Sequence, residues 1–249
     1  MIEKLADTFF SYSALNDDDN DNDDTKLAAG ECLIAAKKIL SLNLNQEAYI
    51  KALDILVPVF DFALVPKGGA FTEEATELLT EYLYNFNEIP PKLWKHFILL
   101  NYMLSGYPND VSFIYDTPDA LAQHVNPKDV DWGSEYIEQM VGAFQNYISK
   151  GKLVFLQEKE PGFGLSFIDL LVKSIDNIYE LNKRHLEDDD GVYYMTTLYY
   201  CIIENCQGLI DNALVPIIQR CLLILKMERV QKQRRLRRVL TQIVQKTST

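Results

Sequence analysis

Apolar residues recur at intervals of three and four positions along almost the whole chain, and strict alternation over six or more residues is rare. Spacing of this kind places apolar side chains on one side of an α-helix, whereas a half-buried strand needs a period of two. Segment 46–65 is typical, because its apolar residues form one wide stripe: Tyr49, Ile50, Leu53, Leu56, Val57, Phe60 and Leu64. The pattern predicts an all-α protein.

Polar and proline residues at helix starts and glycines at helix ends divide this pattern into about ten helices. Thr72 and Pro90-Pro91 are examples of start signals, and Gly151 and Gly208 are examples of stop signals. The predicted helices are 2–13, 25–41, 46–65, 72–86, 90–106, 133–149, 164–184, 191–206, 209–227 and 231–246. Residues 14–24 are predicted to form an acidic loop, and 107–131 and 150–163 to form loops or insertions.

Segments 52–64 and 212–225 both place a Leu-Val-Pro sequence inside a helical apolar stripe. Their prolines, Pro58 and Pro216, are separated by about four times the roughly 40-residue period of HEAT and armadillo repeats. We therefore predict a single α-α superhelix over residues 1–249, a HEAT/armadillo-like solenoid of about five antiparallel helix pairs. A compact, irregular helical bundle is the alternative.

Composition limits the class of protein further. The 249 residues include 48% apolar residues, which is enough for a substantial core and excludes disorder throughout the chain. The net charge of −12 opposes attraction to nucleic acid or to an anionic membrane. No run of 18 apolar residues is present to span a bilayer, and four scattered cysteines predict reduced thiols in an intracellular protein.

No constellation of residues predicts a catalytic, cofactor-binding or metal site. The three histidines, His96, His124 and His185, are widely separated, and we expect them at the surface or half-buried. No nucleophile or phosphate-loop motif is found. Cys201 and Cys206 lie on a helix that is apolar all round, which favours a role as small core groups. We expect a protein that is not an enzyme.

Two acidic segments each precede a predicted helix. They contain Asp17, Asp18, Asp19, Asp21, Asp23 and Asp24, and Glu187, Asp188, Asp189 and Asp190. One interpretation is a self-repelling loop whose last acids stabilise the positive N-terminus of the next helix. The other is an electrostatic attraction for a basic partner.

The C-terminal segment 229–246 has the opposite charge, with seven basic residues and no acid, so residues 1–228 alone carry −19. Arg234, Arg235, Arg237 and Arg238 surround its apolar stripe. This helix face is either solvated or paired with an acidic partner or the chain's own acidic segments. Nucleic-acid binding is poorly supported, because no aromatic residue lies among the arginines.

Several blocks, in order along nearly the whole length, resemble the C-terminal part of importin-β-type karyopherins, and most closely the importin seven/eight branch. They are DDTKLAAGECLIAAKKILSL, LDILVPVFDFAL, FTEEATELLTEYLYNFNEIPPKLWKHF, WGSEYIEQMVGAFQNYIS and ENCQGLIDNALVPIIQRCLLIL. The Phe-x-Glu-Glu at Phe71, followed by Ile-Pro-x-x-Leu-Trp ending at Trp94, is particularly similar to that branch. Residues 107–131 and 150–190 match poorly.

The resemblance implies a non-catalytic nuclear transport receptor that shuttles between nucleus and cytoplasm. It implies that a concave face and the acidic segments hold basic cargo, with ribosomal proteins and histones as the cargo classes. Phe-Gly nucleoporin repeats would enter grooves between helices. Ran would bind N-terminal repeats of the longer receptor that this sequence does not match. We expect a fragment or truncated relative without the main Ran contacts.

A second hypothesis is a HEAT-repeat scaffold that organises a multiprotein assembly without a transport role. If the chain is cut from a longer array, each end exposes an apolar repeat face and self-association follows. We expect such contacts at Ile2, Leu5, Phe9 and Phe10 and at the stripe through Leu236, Leu240 and Ile243.

Overall fold

The computed structural model describes residues 1–14, 23–42, 44–105, 136–157, 159, 166–184 and 190–206, together with the isolated positions 215, 217–219, 222 and 241. Within these ranges the chain forms α1 Ile2–Ala14, α2 Asp23–Leu40, α3 Gln46–Ala63, α4 Thr72–Tyr84, α5 Trp94–Ser105, α6 Ile137–Gln157, α7 Phe167–Arg184 and α8 Asp190–Asn205. Short 3-10 turns at Pro66–Phe71 and Pro91–Leu93 precede α4 and α5. An isolated antiparallel bridge joins Lys159 to Ser166, and no strand occurs in these ranges. The all-α prediction is confirmed.

Helices α3 and α4 form an antiparallel pair. The Thr72 hydroxyl, at the start of α4, donates a hydrogen bond to the Ala63 carbonyl at the end of α3, at 3.2 Å. The Tyr82 hydroxyl, near the end of α4, donates to the Tyr49 carbonyl near the start of α3. The two helices therefore run in opposite directions.

Helices α5 and α6 are paired in the same way. Trp94, the first residue of α5, packs against Gly151 in the second half of α6. One turn further along α5, Phe97 meets Phe144, which lies nearer the start of α6, with ring centroids 5.8 Å apart. Helices α5 and α6 therefore run antiparallel.

The helix pairs stack into two layers. Helices α2, α4, α6 and α8 pack in succession and form the even layer. Helices α1, α3, α5 and α7 form the odd layer, in which α1 packs on α3 and α5 packs on α7. Each odd helix also contacts the even helix that follows it in the chain. This arrangement is a HEAT/armadillo-like α-α solenoid, so the solenoid prediction is confirmed over the compact bundle.

Within the even layer, successive helices run parallel. Gln139 Nε2 donates to Glu73 Oε1 near the helix starts, and Asn146 Nδ2 donates to the Thr80 carbonyl in the middle. Both contacts join residues that are 66 positions apart. A constant separation means that α4 and α6 lie side by side in the same direction, as helices of successive repeats do.

Aromatic rings fill the core between the third and fourth helix pairs. Phe97 is 0% exposed and lies at the centre of this cluster. Its ring centroid lies within 6 Å of those of its five neighbours: Trp94, Phe144, Tyr147, Phe155 and Phe167. One side chain therefore joins α5, α6 and α7.

Pro58 lies inside α3, as the sequence predicts. A proline in a helix removes one backbone hydrogen bond and crowds the preceding turn. Here the ring is on the exposed side of α3, so solvent can satisfy the carbonyl that has lost its donor. Its counterpart Pro216 lies outside the described residues.

The predicted end of the sixth helix at Gly151 is wrong. Helix α6 continues through this residue to Gln157, so the first eight positions of the predicted loop 150–163 are helical. Position 151 has no room for a side chain, because a Cβ atom there would lie 2.4 Å from Cη2 of Trp94. The glycine thus permits close packing of α5 on α6, and the predicted loop 107–131 lies outside the described residues.

Replacing Gly151 with alanine is expected to destabilise the chain by about 1–3 kcal/mol, because overpacking outweighs the gain in helix propensity. The matched change is Gly30→Ala in α2, where the new Cβ would meet only the carboxylate end of the Glu74 side chain, at 3.2 Å. We expect that variant to be neutral or slightly stabilised. Urea unfolding of both variants measures the difference, and equal stability of the two would contradict this explanation of Gly151.

Helix α1 differs from expectation in two respects. Its apolar side, expected to form a contact between copies, is covered by its own chain: Phe9 is 0% exposed and packs on Phe62 and Phe71. Ile2, Leu5 and Phe10 are also partly buried against the core.

The predicted acidic loop 14–24 is shorter at both ends, because α1 includes Ala14 and α2 begins at Asp23. Acidic residues are favoured in a first helical turn, which explains the early start of α2.

Candidate functional site

The starts of the even-layer helices lie along one edge of the stack. Glu74, at the start of α4, lies beside Gly30, and Lys37 further along α2 bonds Glu77 further along α4, so α2 and α4 are parallel. Helices α4 and α6 are parallel as well. Five residues join α7 to α8, too few to return along an 18-residue helix, so α8 runs back beside α7 and parallel to α6.

Acidic side chains are concentrated along this edge. We define the acidic edge by six carboxylates of α2, α4 and α6: Asp24, Glu31, Glu73, Glu74, Glu77 and Glu138. Of these, Asp24, Glu31, Glu73 and Glu138 are exposed, and Glu74 and Glu77 are half-buried. The acids come from three helices that are distant in sequence, and only stacking brings them together.

The acids of the edge differ from those of α3 in their partners. On the odd layer, Glu47 pairs with Lys51, Asp54 with Lys92 and Asp61 with Lys95, each at 2.6 Å. In the described part of the even layer, the ion pair of the edge is Lys37 with Glu77, at 2.7 Å. The four exposed carboxylates of the edge make no ion pair with described residues, so no described lysine or arginine neutralises their charge.

Glu74 is the most crowded member of the acidic edge. Its Oε2 atom is buried without a hydrogen-bond partner among the described residues, and Glu73, Glu77 and Glu31 lie near it. Burial, followed by the repulsion of these neighbouring carboxylates, raises the pKa of Glu74 above its usual value. Burial and the neighbouring carboxylates together thus disfavour the ionised form of Glu74.

The structure describes only part of the predicted acidic segments. Asp23 and Asp24 lie in the first turn of α2, and Asp190 is the first residue of α8. The other predicted acids lie outside the described residues: Asp17, Asp18, Asp19, Asp21, Glu187, Asp188 and Asp189. Both segments nevertheless lead directly into α2 and α8, whose starts lie on the same edge of the stack as those of α4 and α6. The four predicted basic residues also lie outside the described residues: Arg234, Arg235, Arg237 and Arg238.

Most of the acidic edge was not identified from the sequence as a site. Glu73 and Glu74 are visible only as the acidic first turn of a helix, and Glu31 and Glu138 are single acids on amphipathic helices. The available signal was the recurrence of acids in the first turns of most described helices, odd and even alike. That signal becomes useful only once the pairing of helices shows which of these starts share an edge.

The expectation that His96 is a surface or half-buried residue is wrong. Its side chain is 0% exposed, its Nε2 atom lies 2.8 Å from Asp61 Oδ1, and its ring makes a T-shaped contact with that of Phe60. Burial lowers the pKa of His96 despite the attraction of Asp61. Burial also acts to raise the pKa of Asp61, but hydrogen bonds from His96 and Lys95 outweigh it and hold that pKa below its usual value. His124 and His185 lie outside the described residues.

The prediction that Cys201 and Cys206 are core groups is confirmed. Both thiols are free and buried in α8 and at its end. Burial raises the pKa of Cys201 to about 12 and that of Cys206 to about 11, so both remain protonated at neutral pH. A thiolate nucleophile is therefore disfavoured at either position.

The described ranges contain neither a candidate metal site nor a candidate membrane span. No group of three or more His, Cys, Asp or Glu side chains in these ranges has an arrangement that would hold a metal ion. Likewise, no helix among the described residues is both long enough and apolar enough to cross a membrane.

Comparison with known proteins gives one informative similarity. No family model matches the chain, and no solved structure gives a significant match. The chain is similar to a curated protein of Arabidopsis thaliana named importin beta-like SAD2 homolog, with 23% identity over 222 residues. The match covers 88% of this chain but 18% of the plant protein, so the chain spans about a fifth of that relative's length. The sequence is thus similar to a segment of an importin β-like protein.

Proposed function

We propose that this chain is a cargo-binding segment of a nuclear transport receptor of the importin β type, from a branch resembling importins seven and eight. The observation that carries the proposal is the similarity to an importin beta-like protein along 222 residues. The two-layer stack of helix pairs supports it, because such stacks offer long surfaces for binding other proteins. Binding and competition, rather than catalysis, would then be the activity.

The acidic edge, with the two acidic segments, is our proposed surface for basic cargo. Its exposed carboxylates form no ion pair with described lysines or arginines: Asp24, Glu31, Glu73 and Glu138. A partner rich in Lys and Arg would gain ion pairs there and would be steered to the surface by the potential of a chain with net charge −12. Acids at helix starts also stabilise their helices, so the same residues can serve both purposes.

The further partners follow from the proposed class of receptor. Ribosomal proteins and histones are the proposed cargo, since both are rich in Lys and Arg. Phe-Gly nucleoporin repeats are proposed to enter grooves between helices, and Ran to bind N-terminal repeats elsewhere in the longer receptor. The location would be nucleus and cytoplasm, with shuttling through the nuclear pore.

Neutralising the acidic edge is expected to weaken binding of a Lys/Arg-rich ribosomal or histone segment. The variant combines Asp24→Asn, Glu31→Gln, Glu73→Gln and Glu138→Gln. Each exposed ion pair is worth about 0.2–1 kcal/mol, so four lost pairs should weaken affinity by roughly fourfold or more. Fluorescence anisotropy with a labelled basic segment measures the change.

The matched control changes the net charge equally at another place. It combines Glu3→Gln, Asp7→Asn, Glu47→Gln and Asp54→Asn, all exposed residues of α1 and α3. We expect this variant to lose less affinity than the edge variant. Equal losses in both would contradict a localised site. A chain that binds an assembly partner tightly in high salt while ignoring basic segments would favour the scaffold hypothesis instead.

A further inference from the structure

The odd layer is not packed uniformly along the stack. The backbones of α1 and α3 approach closely, and so do those of α5 and α7. Between α3 and α5 close backbone approaches are few, although both helices belong to the same layer. The interval between the second and third helix pairs is therefore wider on this side.

Charged side chains bridge this interval. Lys92 Nζ bonds Asp54 Oδ1 at 2.6 Å, and Lys95 Nζ bonds Asp61 Oδ2 at 2.6 Å. His96 bonds the other oxygen of Asp61 at 2.8 Å and is fully buried. Asp61 thus holds two residues of α5 at once, whereas the Lys92 pair is largely exposed and contributes little.

Helix α3 lacks a backbone hydrogen bond near the residues that contact α5. Pro58 has no backbone N–H, so the Asp54 carbonyl receives no helical hydrogen bond from it. The bond is therefore missing in the part of α3 that runs from Asp54 to Asp61, the two residues that bridge to α5. Helices kink preferentially at proline, so α3 can bend at the point where it is tied to its neighbour.

The opposite side of the same junction is packed tightly. In the even layer, Gly142 of α6 lies against Thr80 of α4, and a Cβ atom at Gly142 would be 2.8 Å from Thr80 Cγ2. Lys150 of α6 also donates to the Leu83 carbonyl at the end of α4, at 2.9 Å. Relative rotation of the second and third pairs would therefore pivot on the even layer and open the odd layer.

We propose that the α3/α5 interval is a hinge of the solenoid and that the Asp61 carboxylate, held by Lys95 and His96, is the latch that keeps it closed. Its release separates α3 from α5 without unfolding either helix pair. Bending then occurs at one defined junction rather than evenly along the stack.

Distance measurements between spin labels test this hinge in the full chain. The labels are placed at Lys51→Cys in α3 and Lys173→Cys in α7, both exposed positions on opposite sides of the interval. Asp61→Asn removes the carboxylate charge at nearly constant size. We expect the distance distribution to gain a longer population in this variant, while labels at Lys4→Cys and Lys51→Cys, which do not span the interval, stay unchanged.

Glu77→Gln is the matched control, because it removes the Lys37 ion pair, which has similar length and exposure but joins α2 to α4. It should leave the distance between positions 51 and 173 unchanged. If Asp61→Asn does not fold by circular dichroism, Lys95→Met removes half of the latch at a partly exposed position. An unchanged distribution between positions 51 and 173 in a folded Asp61 or Lys95 variant would overturn the proposal, and so would an equal change in Glu77→Gln.

Discussion

Replacing Phe97 with alanine is expected to lower the free energy of unfolding by about 3–5 kcal/mol, which is typical of truncating a buried phenylalanine. Phe97 is 0% exposed, and its ring lies among Trp94, Phe144, Tyr147, Phe155 and Phe167. These neighbours belong to three helices, so the cavity cannot close by movement of one side chain. Such a loss is a large fraction of the about 5–15 kcal/mol that stabilises a typical domain.

Urea unfolding followed by circular dichroism measures this loss. Ile50→Ala is the comparison, because Ile50 is 57% exposed on α3 and its truncation should change stability by no more than about 0.5 kcal/mol. A similar small effect at Phe97 would show that the aromatic cluster does not join the third and fourth helix pairs.

Acidification from pH 7 to pH 5 is expected to destabilise the chain through His96. Its pKa is lowered in the folded state from the 6.5 of an unperturbed histidine, so the unfolded chain binds a proton first. The contribution of the neutral, buried His96 is complete above pH 6.5 and is lost as the pH falls from 6.5 towards the folded-state pKa. Asp61, whose pKa is also lowered, adds a second loss below pH 3.8.

The variant His96→Leu isolates the first of these losses. It is less stable than the parent at pH 7 because Asp61 loses one of its partners, but its stability should change less between pH 7 and pH 5. The measurement is the urea midpoint of parent and variant at several pH values. Parallel pH dependence in the two proteins would contradict the assignment of this loss to His96.

Helix periodicity predicted most of the fold, because it depends only on local spacing of apolar residues. Helices α1, α2, α3, α4, α7 and α8 begin and end within three residues of their predicted bounds. Their pairing followed from short turns and from the repeat suggested by Pro58. Such features are encoded in neighbouring residues and can be recognised without knowing what the helices contact.

The wrong predictions concern residues whose environment is set by contacts with residues distant in the sequence. Gly151 has the chemistry of a helix end, but it sits inside α6 because the Trp94 ring occupies the space of a side chain. His96 lies on a helix without any local sign of burial, and only the stacking of α5 beside α3 places it against Asp61. The apolar side of α1 is covered by Phe62 and Phe71, which come from the next helix pair.

The candidate site was predicted in part for the same reason. Dense runs of aspartate are visible in the sequence, so Asp24 and Asp190 were recognised as members of acidic segments. Glu31, Glu73 and Glu138 belong to separate helices, and each is unremarkable alone. They form a surface only because α2, α4 and α6 run parallel, which is a property of the assembled stack.

The most direct test of the proposed function is a titration of the unmodified chain with a Lys/Arg-rich ribosomal or histone segment at two salt concentrations. Screening acts over about 8 Å at physiological ionic strength and over about 3 Å at 1 M, so exposed ion pairs weaken strongly in between. We predict tight binding at the lower concentration and a steep loss of affinity at the higher one. Absence of binding at low salt, or an affinity that salt does not change, would contradict the proposal of an acidic cargo-binding surface.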